Sequence, residues 1–274
     1  MKNCVDIHHH VGELSVGTVA PREDWSIDSD LEARSALMQR FDVDAAVLMP
    51  AFQFSRRDGK DSVSHANDIV ADYQSNARKL FPVALGTVDP LMGKDAGLDE
   101  MKRMKEKLGM RGIVWHHRFQ NVYMSDDRIR PFIDQAQEFG WPVFMHVFPE
   151  STMEAPWTLE KWVRAYPNVT FVALDSLMGF TQSRYLLSIG ERYENVLFET
   201  AGSFGIGRLI REFVLKLGSE RVLFGSDLYM SPPTYDVPFP LLEIRESDLT
   251  SDQKNDVLVG NFERLFGANF DGEK

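Results

Sequence analysis

Two histidines separated by one residue are the first candidates for chemistry in this chain. His8 and His10 lie in a segment with Val5 and Ile7 that is typical of a β-strand. Because alternate side chains of a strand point to the same face, the two imidazoles share a face. Imidazole nitrogens are common zinc ligands, so this segment predicts part of a metal site. The alternatives are a solvated histidine run and an expression tag, but a tag is not normally embedded in a strand pattern.

The composition restricts the classes of function. The chain has 274 residues, of which 43% are hydrophobic and 26% are charged, as is typical of a soluble globular protein. Its net charge of -11, without a basic stripe, argues against binding to nucleic acid. No run of about 18 apolar residues is present, so we expect no membrane span. Cys4 is the only cysteine, which rules out an internal disulfide and favours the reducing cytoplasm.

Short apolar segments alternate with amphipathic stretches along the chain. The apolar segments predict eight strands, at Val5–His8, Ala45–Met49, Pro82–Thr87, Gly112–His116, Val143–His146, Thr170–Leu174, Val196–Glu199 and Val222–Gly225. Apolar residues at helical spacing predict helices at Asp30–Phe41, Ser64–Arg78, Gly97–Leu108, Pro131–Phe139, Leu159–Tyr166, Arg184–Tyr193, Ile206–Leu217 and Thr250–Leu265. Ser251 is the expected N-cap of the last helix.

This alternation predicts an α/β fold, a (β/α)8 TIM barrel, formed by a single domain over residues 1–274 with a C-terminal helix. A doubly wound open sheet is the alternative, but the chain has no GxGxxG or P-loop motif to support it. Two longer segments, Val11–Ser29 and Met230–Glu246, follow the first and the last strand. We expect them to form part of an active-site rim.

In such a barrel, the residues that do chemistry lie where the strands end. The polar residues at those ends are His8, His10, His116, His117, His146, Asp175, Ser176, Glu199 and Asp227. Six of the seven histidines fall near this face, and only His65 is expected elsewhere, on a helix. Core filling does not explain such clustering, because a buried histidine needs hydrogen-bond partners.

Five segments, in order over nearly the whole chain, resemble the amidohydrolase superfamily, and specifically its second, mostly mononuclear group. The opening Asp6-x-His8-x-His10 is the first of them. The other four are Gly112–His116, Gly140–His146, Arg221–Asp227 and Asn261–Phe266, which resemble the family segments GIKLH, GLPVLVH, RILFGSD and NAERLF. The family includes small lactonases, hydratases and decarboxylases.

The resemblance implies that His8, His10, His146 and Asp227 hold one divalent metal ion. Three imidazoles and a carboxylate suit Zn2+ best, although the ligand types also admit Mn2+, Fe2+ and Co2+. Val114 stands where the family segment often has a lysine. A carbamylated lysine that bridges two metals is therefore not available there, and we expect a single metal.

The end of strand six departs from the family pattern, which usually has a histidine there. Either Ser176 or Asp175 takes that place, depending on a one-residue shift of the alignment. We expect Asp175 to substitute as a proton acceptor, although a carboxylate beside a metal is a weaker base than imidazole. Asp227 is expected to combine metal ligation with catalysis. His116 is the further catalytic candidate, with His117 as its alternative.

Other side chains are candidates for binding the substrate. Arg118 and Arg22 can hold a substrate carboxylate through a forked contact. Aromatic residues near the predicted loop tops can wall a flat substrate, and these are Trp25, Phe52, Phe54, Phe148, Trp157 and Tyr229.

Our first hypothesis is a metal-dependent hydrolase that cleaves an ester, lactone or amide bond of a small, carboxylated substrate by means of an activated water. The alternatives are a metal-dependent, non-oxidative decarboxylase of a small unsaturated or aromatic acid, and a barrel that binds metal without catalysis. We expect a small-molecule substrate and, from the frequency of such assemblies, a homodimer.

Overall fold

All eight predicted strands are present in the computed structural model, which describes residues 3–12, 26–51, 60–203, 208–230 and 237–267. The strands are β1 (Val5–Val11), β2 (Ala45–Pro50), β3 (Val83–Ala84), β4 (Ile113–Trp115), β5 (Val143–His146), β6 (Phe171–Leu174), β7 (Val196–Glu199) and β8 (Val222–Leu223). Within two sheets, β1–β3 and β4–β8, each strand pairs in parallel with the next along the chain. β3, β4, β6 and β8 are shorter than predicted, and β1 and β2 are longer.

The strands close into a barrel through two links between the sheets β1–β3 and β4–β8. Gly86, after β3, pairs with Ile113 of β4, and His9 of β1 pairs with Leu228 after β8. A doubly wound sheet does not keep the strands in sequential order, so that alternative is wrong.

Helices surround the barrel and close the end at which its strands begin. They are α1 (Ile27–Arg40), α2 (Lys60–Asn76), α3 (Lys94–Glu106), α4 (His117–Gln120), α5 (Arg130–Phe139), α6 (Glu160–Ala165), α7 (Phe180–Arg192), α8 (Leu209–Leu217), α9 (Phe239–Glu246), α10 (Ser251–Asn255) and α11 (Asn261–Phe266). In this described part of the chain, no helix combines the length and the apolar character that crossing a lipid bilayer requires.

The predicted C-terminal helix differs from the structure in two respects. A π-helical turn, Asp256–Gly260, separates α10 from α11. The N-cap is Thr250 and not Ser251, because the Thr250 hydroxyl accepts a hydrogen bond from the backbone N–H of Gln253. The Gln253 side chain in turn accepts from the backbone N–H of Thr250, which completes a capping box.

A bulge in β1 decides which of its side chains face the barrel interior. Asp6 pairs with Ala46 and His9 with Leu48, so β1 contains one residue more than β2 between these two pairs. His10 consequently pairs with Met49, which belongs to the interior cluster, whereas His9 pairs with an outward residue. The bulge thus directs the end of β1 towards the site.

Apolar side chains fill the interior of the barrel at its lower end, which is the end where the strands begin. Val114, Phe144 and Val172 point inward, and Phe262 and Phe266 of α11 close the end at which the strands begin. The outward side chains of the same strands pack against the helices in a second, larger cluster. The opposite end, where the strands finish, is left for polar side chains.

Candidate metal centre

Three imidazole rings meet where β1 and β5 end. The Nε2 atom of His8 lies 2.9 Å from Nε2 of His10 and 3.2 Å from Nε2 of His146, and all three residues are buried. Ring nitrogens at this separation need a proton or a metal ion between them, because two lone pairs would otherwise face each other. The arrangement can therefore hold a metal ion through three imidazole nitrogens.

Backbone carbonyls orient two of these rings. The Nδ1 atom of His10 is 2.6 Å from the carbonyl oxygen of Pro50, and Nδ1 of His146 is 2.8 Å from that of Trp115. A carbonyl only accepts hydrogen bonds, so Nδ1 must carry the proton and Nε2 the lone pair. This is the tautomer that a metal ligand requires.

A carboxylate orients the third ring. Nδ1 of His8 lies 3.0 Å from Oε2 of Glu199, which is fully buried. Burial lowers the pKa of His8, but the negative charges of Glu199 and Asp227 outweigh it and raise the pKa to about 10. For His10, burial dominates and lowers the pKa to about 4.

Two aspartates complete the cluster. Oδ1 of Asp227, whose side chain is 32% exposed, lies 3.3 Å from Nε2 of both His8 and His10. Asp175 is buried and forms a second potential ligand group with His8 and Asp227. Both aspartates have left-handed backbone conformations, with a φ of 58° for Asp175 and 56° for Asp227. Such conformations are uncommon outside glycine and often occur at functional sites.

The structure decides between Asp175 and Ser176 at the end of β6. The Ser176 hydroxyl donates a hydrogen bond of 2.5 Å to the carbonyl of Ala173, so it is engaged with its own strand. Oδ1 of Asp175 is buried and has no hydrogen-bond partner in the described part of the chain. Asp175 is therefore the residue that this strand contributes to the cluster.

The two carboxyl groups have opposite pKa shifts. Burial and the neighbouring charge of Asp227 raise the pKa of Asp175 well above its usual range. Burial also acts to raise the pKa of Asp227, but His8 and His10 lower it more strongly, and the net shift is downward.

A donor set of three imidazoles and carboxylate oxygens fits a divalent transition metal.

His116 lies beside the cluster and is held by a carboxylate that the sequence analysis did not identify. Its ring stacks on that of His146 at 4.0 Å between centroids, and its Nδ1 is 2.5 Å from Oε1 of Glu154. The same oxygen accepts the backbone N–H of Arg118 at 3.0 Å. Burial raises the pKa of Glu154 to about 7 and lowers the pKa of His116 well below its ordinary value.

The structure describes four of the eight residues that the sequence predicts as candidates for binding substrate, and these are Arg118, Phe148, Trp157 and Tyr229. The Arg118 guanidinium lies 4.0 Å from the centre of the Phe148 ring, and its Nε is 3.7 Å from Oε2 of Glu154. The Tyr229 ring stacks on His10 at 4.1 Å. Trp25 lies outside the described residues, as do Arg22, Phe52 and Phe54.

Two of the six clustered histidines do not join the site. His9 faces away from the barrel interior, with Nδ1 3.2 Å from Oδ2 of Asp6. His117 is fully buried against Trp115, and neither ring nitrogen has a hydrogen-bond partner in the described part of the chain. His65 lies in α2, as expected. The site therefore takes four histidines, because the bulge and the first turn of α4 turn the other two away.

Asp6, the first residue of the opening motif, fixes the strand that carries the histidines. Its Oδ1 accepts the backbone N–H groups of His8 and Ser226, each at 3.0 Å. Its Oδ2 accepts the Ser226 hydroxyl at 2.5 Å. Because Ser226 precedes Asp227, this carboxylate holds β1 against the segment that carries the candidate metal ligand.

Sequence reasoning missed the roles of Glu199 and Glu154. Glu199 was visible as a polar residue at a strand end, which is the signal that could have assigned it. Glu154 lies in the loop between β5 and α6, where no local pattern distinguishes it from a solvated glutamate. Only the fold brings it to His116.

Comparison with known proteins identifies the family. The family model described as Amidohydrolase matches residues 5–268. The chain belongs to the amidohydrolase family. Members of this family are metal-dependent enzymes, and the donor cluster of this amidohydrolase is in accord with that. No curated protein sequence matches the chain.

Solved structures share the fold at low sequence identity. A 5-carboxyvanillate decarboxylase from Novosphingobium aromaticivorans, in complex with manganese, has a TM-score of 0.70 at 17% identity, covering 97% of this chain and 96% of that one. The 2,6-dihydroxybenzoate decarboxylase from Rhizobium has a TM-score of 0.70 at 16% identity, covering 97% and 99%. The 4-oxalomesaconate hydratase from Rhodopseudomonas palustris has a TM-score of 0.70 at 16% identity, covering 96% and 95%. These similarities confirm the TIM barrel.

Proposed function

We propose that this amidohydrolase is a metal-dependent hydrolase that cleaves an ester, lactone or amide bond of a small, carboxylated substrate. The observation that carries the proposal is the convergence of three Nε2 atoms, two of which lie 3.3 Å from Asp227, with a second carboxylate, Asp175, in the same cluster. A hydrolase needs a group that accepts the proton of the attacking water in addition to the metal ligands. The second carboxylate satisfies that need without an additional histidine.

His8, His10, His146 and Asp227 are the residues that would hold the metal. Zn2+ is our first choice for this donor set, and Mn2+, Fe2+ and Co2+ are the alternatives. When bound, the metal supplies a more acidic water and polarises the carbonyl of the substrate.

The remaining roles belong to side chains of this chain. Asp227 and Asp175 accept or return the protons that hydrolysis moves. His116, whose Nδ1 is engaged with Glu154, uses Nε2 towards the substrate. Arg118 binds the substrate carboxylate, since its side chain is 32% exposed and its Nε lies 3.7 Å from Glu154, the residue that also contacts His116. Tyr229 forms an aromatic wall.

A second candidate, a non-oxidative decarboxylase, is favoured by the comparisons. Two of the similar structures are decarboxylases of substituted benzoates, and one contains manganese. The same side chains would then orient a substrate carboxylate for release as CO2, with Asp175 returning a proton to the carbon.

A substrate screen on the metal-loaded enzyme separates the two candidates. Lactones, esters, amides and aromatic acids are incubated with protein loaded with Zn2+ or Mn2+, and released acid and released CO2 are measured in parallel. We expect acid without CO2. Release of CO2 from an aromatic acid, without hydrolysis of any lactone, ester or amide, would overturn the hydrolase in favour of the decarboxylase.

The Asp227→Asn variant tests the assignment of the site. We expect turnover to be lost in Asp227→Asn, whereas the exposed Asp252→Asn control keeps the parent's rate. Turnover close to the parent's in Asp227→Asn, with metal content confirmed, would show that Asp227 is not required.

A further inference from the structure

Glu199, at the end of β7, contacts two strands besides its own. Its Oε2 atom accepts hydrogen bonds from Nδ1 of His8 at 3.0 Å and from the backbone N–H of Asp175 at 2.9 Å. Its Oε1 atom accepts the backbone N–H of Ala201. The carboxylate is fully buried, and three donors surround it, one from β1 and two from the residues that follow β6 and β7. Both oxygens are thus directed at donors of the protein.

The chain leaves room for this side chain by placing a glycine opposite. A Cβ added to Gly225 would lie 2.7 Å from Cγ and Cδ of Glu199 and nearer still to Oε1. Those separations are shorter than real Cβ contacts allow, so any other residue at position 225 would displace the carboxylate. Gly225 is itself held in place by Thr200, whose hydroxyl accepts its N–H at 3.1 Å.

We infer that Glu199 is a positioning residue that fixes the candidate metal ligand His8 and the second carboxylate, Asp175, relative to each other. The inference rests on the proposed function to the extent that His8 is taken as a ligand. A carboxylate on the distal nitrogen of a ligating histidine fixes the plane and tautomer of the ring and makes it a better ligand. The bond to the Asp175 N–H also stabilises the left-handed backbone that directs Asp175 into the site.

The Glu199→Gln variant tests this role through metal binding, with no need for a substrate. Metal-free protein is titrated with Zn2+ against a chelator of known affinity, and the absorption spectrum of the Co2+-loaded protein is recorded. An amide keeps the volume but loses the charge and one acceptor, so we expect Zn2+ affinity to fall by about 10–100-fold. We also expect the Co2+ ligand-field bands to shift, because the His8 ring is no longer held in one orientation.

Glu154→Gln is the matched control. Glu154 is equally buried and also accepts from a histidine Nδ1, but that histidine, His116, is not a candidate ligand. We expect the Zn2+ affinity and the Co2+ spectrum of this variant to equal those of the parent. Equal losses in Glu154→Gln and Glu199→Gln would overturn the inference, because the effect would then follow from removing any buried carboxylate.

A double-mutant cycle tests whether displacing the Glu199 carboxylate and removing it act through the same contact. The methyl group of Gly225→Ala should displace Glu199 and weaken Zn2+ binding in the parent. In a Glu199→Ala background there is no carboxylate to displace, so the same methyl group should cost no further affinity. If Gly225→Ala lowers Zn2+ affinity equally in the two backgrounds, the result would contradict the proposed role.

The outcomes separate this inference from the proposed function. A parent that binds no Zn2+ would overturn both, since His8 would then not be a ligand. A parent that binds Zn2+, together with a Glu199→Gln variant of unchanged affinity and spectrum, would overturn the positioning role alone.

Discussion

The three imidazoles of the candidate centre have the same residue type but different chemical settings. Backbone carbonyls orient His10 and His146, whereas a buried carboxylate orients His8. A carbonyl fixes the tautomer without adding charge, and Glu199 adds a full negative charge next to the ring. His8 is therefore the most basic of the three.

We expect the double variant His8→Ala/His10→Ala to lose the metal. Two of the four proposed ligands are lost, and the remaining His146 and Asp227 cannot hold a divalent ion tightly. Elemental analysis should find about one equivalent of zinc or manganese in the parent and none in the variant. Absence of metal from the reconstituted parent would leave the histidine cluster without this explanation.

A second prediction concerns Glu154 and pH. Burial raises its pKa in the folded protein from 4.5 to about 7, so between these values the native state holds a proton that the unfolded chain has released. The contribution of Glu154 to stability is therefore fully present below about pH 4.5 and is lost as the pH rises through 7. From pH 5 to pH 8, the free energy of unfolding of the parent should fall by at most about 3 kcal/mol relative to Glu154→Gln. Urea unfolding of both metal-free proteins at the two pH values measures this difference, and an unchanged difference would contradict it.

Among the elements, β1 carries the largest share of the site's geometry. Its bulge lets Ile7 fill the lower barrel while His10 faces the interior higher up. Asp6 then ties this strand to the residue before Asp227. The position of His8 and His10 relative to Asp227, which follows β8, therefore depends on the buried carboxylate of Asp6.

Replacing that carboxylate should weaken both the fold and the site. Asp6→Ala leaves the buried N–H groups of His8 and Ser226 without an acceptor, so we expect a loss of about 3 kcal/mol in the free energy of unfolding and weaker Zn2+ binding. Asp44→Ala is the control, because Asp44 accepts from the N–H groups of Asn3 and Cys4 at the other end of the strand. It is exposed, so its loss should cost less and leave Zn2+ affinity unchanged. Equal effects of the two variants in denaturant and metal titrations would contradict a special role for Asp6.

The apolar closure of the barrel and its polar cluster lie at opposite ends. Phe262 and Phe266 close the end where the strands begin, and the ring of Phe266 stacks near Phe144 at 6.3 Å. The polar cluster occupies the other end. Changes at the lower end should therefore alter stability without altering metal binding.

Phe266→Ala tests this separation. Loss of a nearly buried aromatic ring should lower the free energy of unfolding by about 3 kcal/mol. Zn2+ affinity of the folded variant should equal that of the parent, because the site shares no contact with this ring. Thermal unfolding and a Zn2+ titration check the two expectations, and a loss of affinity in the folded variant would contradict the second.

The homodimer, the cytoplasmic location and the small-molecule substrate stay predictions from the sequence.

Local patterns alone predicted the eight strands, the barrel and the chemical types of the central residues. This was feasible because a buried parallel strand needs a continuous apolar run, and because chemistry collects where such strands end. His8, His10, His146 and Asp227 all follow from those two regularities and the family resemblance. The tertiary structure decided the rest. It chose Asp175 over Ser176, turned His9 and His117 away, and brought Glu154 and Glu199 to the histidines they hold. Each of these depends on a bulge, a left-handed residue or a contact between distant segments, and none of them leaves a periodic signal in the sequence.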